Sequence, residues 1–220
     1  MDTLHITKQH TGKMDKMWSL STCCQSNANC KRNAAVEGSV CSKCYAMRMT
    51  KMYKNLAPCL EKNAKILSEA ILPDDKLPKI KVQYFRFEAF GDLINETHVK
   101  NYFNICKKNP STKFALWTKN PHIIKKVLDE GEYKKPENLK ILVSSLFLNK
   151  SLDVNQWDFV DKVFTVYTKD YIEENGISIN CGNKKCIECK LCYDTNEVRY
   201  INEKVKWGAI CIYLISHIRT

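Results

Sequence analysis

The sequence predicts an α/β fold on a mostly parallel sheet, and three observations predict it. Short apolar runs rich in β-branched and aromatic residues, such as KVQYFRFEAF and LKILVSSLFL, read as buried strands. Between them, apolar residues recur every third or fourth position, the period of an amphipathic helix. The two patterns alternate at a spacing that suits parallel strands joined by right-handed crossovers. A partial (β/α) barrel of four to six such units fits this order; a doubly wound open parallel sheet is the alternative. With 220 residues, 44% of them hydrophobic, the chain is long enough for a single domain over 1–220 and too apolar to be disordered.

The first stretch, MDTLHITKQHTGKMDKMWSL, has no apolar segment of the kind a secretory signal needs, so a cytoplasmic location is expected. WSLST is the candidate first strand, and a cysteine-bearing loop follows over 23–45. The β/α core is expected over 46–180. Its first helix aligns Leu56, Leu60, Ala64, Leu67 and Ile71, with Pro58 starting or kinking it. LPDDKLP is a loop, and KVQYFRFEAF is a strand ending at Gly91 and Asp92. The next helix aligns Val99, Tyr102, Phe103 and Cys106, and NPST turns the chain into the strand KFALWT. NPHIIKKVLDEG is a helix with Ile123, Ile124, Val127 and Leu128 inward and Gly131 as its C-terminal cap. LKILVSSLFL and KVFTVYT are two further strands. A cysteine-rich segment, 181–193, precedes a tail over 194–220, whose run AICIYLI is too short to cross a membrane.

Functional sites of parallel sheets lie at the C-terminal ends of the strands. Those ends carry Glu88 to Asp92, Trp117 to Asn120, Ser144 and Ser145, and Thr168 and Lys169. The first cysteines follow the first strand and belong on the same rim. Lys119 and Thr118 are candidates for binding an anion or substrate there, with Asn120 the better candidate to cap the next helix. Glu88 either sits in the site or pairs with Arg86 or a lysine. Trp117, Phe85 and Phe87 read as core. The five histidines lack metal-ligand spacing and read as surface residues, and no GxSxG, Walker loop or HExxH is present. The net charge of +11 suits a nucleotide, nucleic acid or other anionic partner, although lysines spread along the chain also describe an ordinary solvated surface.

Twelve cysteines in a reducing compartment point to metal or to thiol chemistry. Cys59, Cys106 and Cys211 stand alone in apolar surroundings and read as small buried hydrophobes. The remaining nine form two groups. Cys181, Cys186, Cys189 and Cys192 give C-x4-C-x2-C-x2-C, four ligands within twelve residues. Its C-x2-C-x2-C portion is the spacing by which a loop wraps an iron–sulfur cubane, although zinc also accepts four thiolates. The other group has Cys30, Cys41 and Cys44 in a C-x10-C-x2-C pattern, with Cys23 and Cys24 just upstream. Three ligands would leave one iron of a four-iron cluster open to an outside molecule; a fourth, such as Cys24, would close the site. The spacing leaves both arrangements open, and a structural zinc site with them.

The order WSLS, GSVCSKCYA, a strand ending in FGD, NP…FALWTK and a late C…CxxCxxC resembles the gene-product-88 domain family of phages and mobile elements, over roughly residues 13 to 200. That family looks related to radical S-adenosylmethionine (SAM) enzymes, whose core is a partial β/α barrel. The resemblance implies that Cys30, Cys41 and Cys44 hold a [4Fe–4S] cluster whose fourth iron binds the amino and carboxylate groups of SAM. It implies that Tyr45 packs beside the cluster, and that Gly91 and Asp92 stand where the SAM amino group is held; Glu88 and Lys119 are assigned to the same site by their strand-end positions. An electron from a donor such as flavodoxin or ferredoxin would cleave SAM to methionine and a radical that abstracts hydrogen from substrate. Cys181, Cys186, Cys189 and Cys192 would hold a second cluster. Two features depart from the usual radical SAM pattern. The first cysteine gap is ten rather than three, with the aromatic after the last cysteine, and EAFGD replaces glycine-glycine-glutamate.

Overall fold

Among the described residues, seven strands form one sheet in sequence order: β1 (Ile6–Lys8), β2 (Trp18–Leu20), β3 (Tyr84–Phe87), β4 (Lys113–Thr118), β5 (Leu139–Ser144), β6 (Lys162–Tyr167) and β7 (Tyr200–Lys204). This is a computed structural model that describes residues 3–194 and 197–205; AICIYLI, Cys211 and His217 lie outside the described residues. β1 runs antiparallel to β2, and every later pair of neighbours is parallel. Among the described residues β1 and β7 do not pair with each other, so the sheet is open.

Seven α-helices accompany the sheet among the described residues. Three lie between β2 and β3: α1 (Ala28–Ala35), α2 (Tyr45–Met52) and α3 (Leu56–Glu69). α4 (Glu96–Lys108) joins β3 to β4, and α5 (Pro121–Asp129) joins β4 to β5. α6 (Lys169–Asn175) and the single turn α7 (Cys186–Cys189) lie between β6 and β7. No helix among the described residues is long and apolar enough to cross a membrane.

Side-chain alternation along each strand divides the core into two layers. Phe85, Phe87, Phe114, Leu116, Ile141 and Val143 point to one face, where Leu67 of α3, Val99, Tyr102 and Phe103 of α4, and Ile124 and Val127 of α5 cover them. Phe87 sits between the Tyr102 and Phe114 rings, with centroids 4.0 and 5.1 Å away. The other face is free of the central crossover helices: it carries Tyr84, Ala115, Leu142 and Ile201, and the cysteine-rich segment with its single turn α7 covers it through Tyr193, Ile187 and Leu191. The helices of the central crossovers therefore all pack on one side of a sheet whose strands follow one another in sequence.

Several boundaries differ from expectation for local reasons. KVQYFRFEAF yields a strand only to Phe87, because Glu88 takes a left-handed φ of 55°. LKILVSSLFL stops at Ser144, because the Ser145 hydroxyl bonds the Phe147 and Lys150 carbonyls at 3.0 and 2.5 Å and turns the chain. Asn120 does not cap α5 with its side chain; its N–H instead donates to Thr118 Oγ1 at 2.8 Å. Gly131 follows α5 at φ 77°, as the cap reading expects. His98 is not a surface residue: it is fully buried against Glu88 and Tyr102.

Candidate metal centres

The C-terminal rim is organised by two buried carboxylates. Asp92 Oδ1 accepts from the Leu93 N–H at 2.8 Å and from Thr118 Oγ1 at 2.5 Å; Oδ2 accepts from the Lys119 N–H at 3.0 Å and from Asn29 Nδ2 at 3.3 Å. One side chain thus ties the β3 exit to the β4 exit and to the start of α1. Burial raises its pKa, and these hydrogen bonds oppose the rise. With its oxygens engaged by the chain, Asp92 has little capacity left for a further ammonium. Gly91 sits at φ 80°, and a Cβ there would lie 2.5 Å from both the carbonyl oxygen and Oγ1 of Thr22. Only glycine lets this loop settle onto the end of β2.

Strand alternation places Glu88 on the helix-free face, but its left-handed backbone turns it into the helix layer. There Oε1 accepts from the Tyr102 hydroxyl at 2.6 Å, and Oε2 from the Thr22 N–H at 3.2 Å. Its partners are these groups and not Arg86. Burial pushes the carboxyl up to about 8. His98 Nδ1 accepts from the Ile94 N–H at 3.3 Å, which leaves the ring proton on Nε2, 3.4 Å from Glu88 Oε1. Burial lowers the imidazole to about 3, so histidine and acid meet as neutral groups near pH 7.

The first cysteine segment is strapped across this rim at both ends. Asn27 caps α1, accepting from the Asn29 and Cys30 N–H groups at 2.8 and 3.1 Å, and its Nδ2 donates to the Asp92 carbonyl at 2.7 Å. Ser39 caps the 3-10 turn Val40–Lys43 and pairs with Phe147 beyond β5, while the Val40 N–H donates to the Leu146 carbonyl at 2.9 Å. Tyr45 opens α2 directly after Cys44; its hydroxyl donates to the Ala89 carbonyl and its ring meets Phe90 edge-on at 5.7 Å. The CxxC and EAFGD stretches are thereby in contact.

Cys24, Cys30, Cys41 and Cys44 form one electrostatic neighbourhood. Burial raises Cys30, and Asp92, Cys24, Glu88 and Cys41 add to the rise. Burial raises Cys24 to about 11, with Cys44 next in effect. Burial also raises Cys41; Lys119 opposes the rise, and Cys44 and Asp92 reinforce it. Cys30, Cys41 and Cys44 are partly exposed, whereas Cys24 is buried beside Thr50. Cys23 is buried as well and points at Glu61, 3.8 Å away. Of the residues selected from sequence, Tyr45, Gly91, Asp92 and Lys119 gather around this set. Glu88 lies behind it, in the helix layer.

The second set lies on the helix-free face. Cys181 bridges to Glu203 on β7, and Cys186 and Cys189 begin and end α7. Tyr193 anchors the segment against Tyr84 and Trp117, with ring centroids 5.4 and 6.4 Å apart. Lys185 pairs with Asp15 at 2.7 Å, and Lys113 with Asp194 at 2.5 Å. All four cysteines line one cavity with Lys13, Arg86 and Trp117. Burial raises Cys192 to about 12, and the nearby Cys181, Cys186 and Cys189 thiols add to the rise. Arg86 and Lys13 escaped the sequence reading as site residues. Arg86 had one visible signal, a charged residue alternating with aromatics inside a strand.

Among the described residues no three His, Cys, Asp or Glu side chains converge tightly enough to hold a single metal ion. A zinc ion draws its thiolates to about 2.3 Å, whereas cubane ligands stand around a larger group, each on a different iron.

These features define an α/β protein with a mostly parallel seven-strand sheet and two clustered cysteine sets, one on the strand-end rim and one on the helix-free face. The chain belongs to the gene product 88 family of phage proteins, whose model matches residues 3–209. No curated protein and no solved structure matches it.

Proposed function

We propose that this chain is an iron–sulfur enzyme resembling radical SAM proteins, acting on a nucleotide, nucleic acid or other anionic substrate. The observation that carries the reading is the gathering of Cys30, Cys41 and Cys44 at the strand-end rim, beside Tyr45, Gly91, Asp92 and Lys119. A sequential parallel sheet with its crossover helices on one face supports the partial-barrel form of the fold. The donor set suits the group: half-buried thiols that discourage one another's ionisation are relieved by a thiophilic cation, with release of protons.

In this reading Cys30, Cys41 and Cys44 hold a [4Fe–4S] cluster, and Cys181, Cys186, Cys189 and Cys192 a second. When bound and reduced with SAM, the first cluster supplies hydrogen-abstracting radical chemistry. The chain's own part is placement. Tyr45 and Asn27 fix the cysteine loop against the β3 exit. Gly91 allows the close approach, and Asp92 acts by locking that loop to β4. The Lys119 ammonium, near Cys41 and Asp92, is a cation suited to an anionic group. A flavodoxin or ferredoxin would supply the electron.

Anaerobic reconstitution followed by dithionite and SAM should release 5′-deoxyadenosine, and addition of SAM should alter the electron paramagnetic resonance signal of the reduced cluster. A cluster-loaded protein that does neither has no radical SAM activity.

A second reading has its own support. Cys24 stands as a fourth thiol beside the three, and four thiolates can close a tetrahedral site. A zinc- or cluster-stabilised module that binds nucleic acid without chemistry would use such closed sites. About two zinc ions per chain and no iron, in protein purified without oxygen, would favour it.

A further inference from the structure

Among the described residues, the helix-free face of the sheet holds a cation that forms no salt bridge. Arg86 rises from β3 on this face, its guanidinium 3.9 Å from the centre of the Trp117 ring. Nη1 points at the Met14 sulfur, 3.1 Å away. Nε is buried and has no hydrogen-bond partner among the described residues. Trp117 and Met14 offer polarisable surface but no negative charge. A half-buried guanidinium whose Nε is removed from water without a partner is unfavourable unless an anion stands beside it. Lys13, on the same cavity, has Glu203 at 2.6 Å.

The cavity that Arg86 faces is walled by the four thiols of the second set. Lys13 Nζ donates to Cys181 Sγ at 3.5 Å. The charge of Arg86 reaches Cys186 and Cys192. Buried Lys162, donating to the Val198 carbonyl at 2.7 Å, adds a third cation near Cys192. The first set has a different surround, with the carboxylates Asp92 and Glu88 beside Cys30 and Lys119 beside Cys41. A metal centre on four thiolates carries net negative charge, and one-electron reduction adds another unit. Nearby cations and N–H···S bonds stabilise the reduced form more than the oxidised one.

We propose that Arg86 is the counter-cation of an anionic metal–thiolate centre on Cys181, Cys186, Cys189 and Cys192, and that this centre is reduced more readily than the one on the first cysteine set. This rests on reading both sets as iron–sulfur sites. Arg86 touches no metal in this scheme; it is a positioning residue that acts through charge. The couple is one-electron: dithionite supplies the electron, the centre takes it up, and no bond in the chain is made or broken.

The test uses full-length protein reconstituted without oxygen, in two forms. Cys41→Ala with Cys44→Ala leaves the second set alone; Cys186→Ala with Cys189→Ala leaves the first. Iron and sulfide content comes first: zinc in place of iron removes the underlying iron–sulfur reading. With iron present, redox titration followed by paramagnetic resonance should give the second centre the more positive midpoint. Arg86→Gln in that form should lower the reduced-to-oxidised ratio about tenfold at fixed poise, which is about 59 mV for one electron. Arg86→Lys should restore most of it. Lys13→Met, which removes the N–H···S contact from a separate element, should shift the midpoint the same way. A second centre no more positive than the first, or Arg86→Gln and Lys13→Met proteins with full iron content and an unmoved midpoint, would overturn the proposal.

Discussion

At the scale of single residues, Glu88 and His98 make a pH-sensitive pair. Burial raises the Glu88 carboxyl from 4.5 to about 8, so the folded chain holds a proton that the unfolded chain has lost. Its contribution is complete below about pH 4.5 and disappears as pH rises through 8. Burial lowers His98 from 6.5 to about 3, so its contribution is complete above 6.5 and disappears as pH falls through 3. The pair should therefore give a stability plateau between about pH 4.5 and 6.5, falling on both sides. Urea melts across pH should show it, and Glu88→Gln should flatten the alkaline limb, by a few kcal/mol at most. Gly91 makes a second prediction at this scale. Alanine there meets both a positive φ and the backbone of Thr22, and should lower stability by about 2–3 kcal/mol. A melt that is unchanged in Gly91→Ala would contradict the close approach of the two loops.

At the scale of elements, α1 depends on a cap with two duties. Asn27 serves both the helix N-terminus and the Asp92 carbonyl. Asn27→Ala should lower stability by about 2 kcal/mol, more than a cap alone, because it also leaves a buried carbonyl short of its donor. Under the proposed iron–sulfur reading, iron uptake by the first set should slow in the same variant, since Cys30 lies in the first turn of α1. Elements with a clear period were legible: α3, α4, α5 and the central strands follow their apolar spacing. β1 has three residues, and β7 reads YINEK, too short and too polar for a period to emerge. β7 lies in the segment read as a tail, yet it pairs with β6 over five positions. Glu88 and His98 were misplaced because one positive φ reversed the strand alternation and gave the histidine a buried partner. Cys24 was left open by its spacing, and folding brings it beside Cys30 and Cys44. The unpartnered Nε of Arg86 depends on which residues surround it, and spacing cannot give that.

For the whole molecule, one face of the sheet depends on helices and the other on the cysteine-rich segment. If the second set holds metal as proposed, removing it should therefore act on the fold as well as on any chemistry there. Chelation of loaded protein should lower Tm by about 10 °C or more, since site binding energy is also folding energy. The drop should be smaller in the Cys186→Ala, Cys189→Ala form, which has only the rim site to lose. Equal drops in both forms would show that the helix-free face holds without its metal.

Each strand pairs with the strand that precedes it in the chain, so assembly can proceed in the order of synthesis. A nascent chain that has reached Asn180 already contains β1 through β6, while the four late thiols have yet to leave the ribosome. The helix-free side of the platform then stands bare, and in the proposed iron–sulfur reading whatever delivers iron and sulfide would meet an unfinished surface, which β7 and the cysteine segment subsequently close.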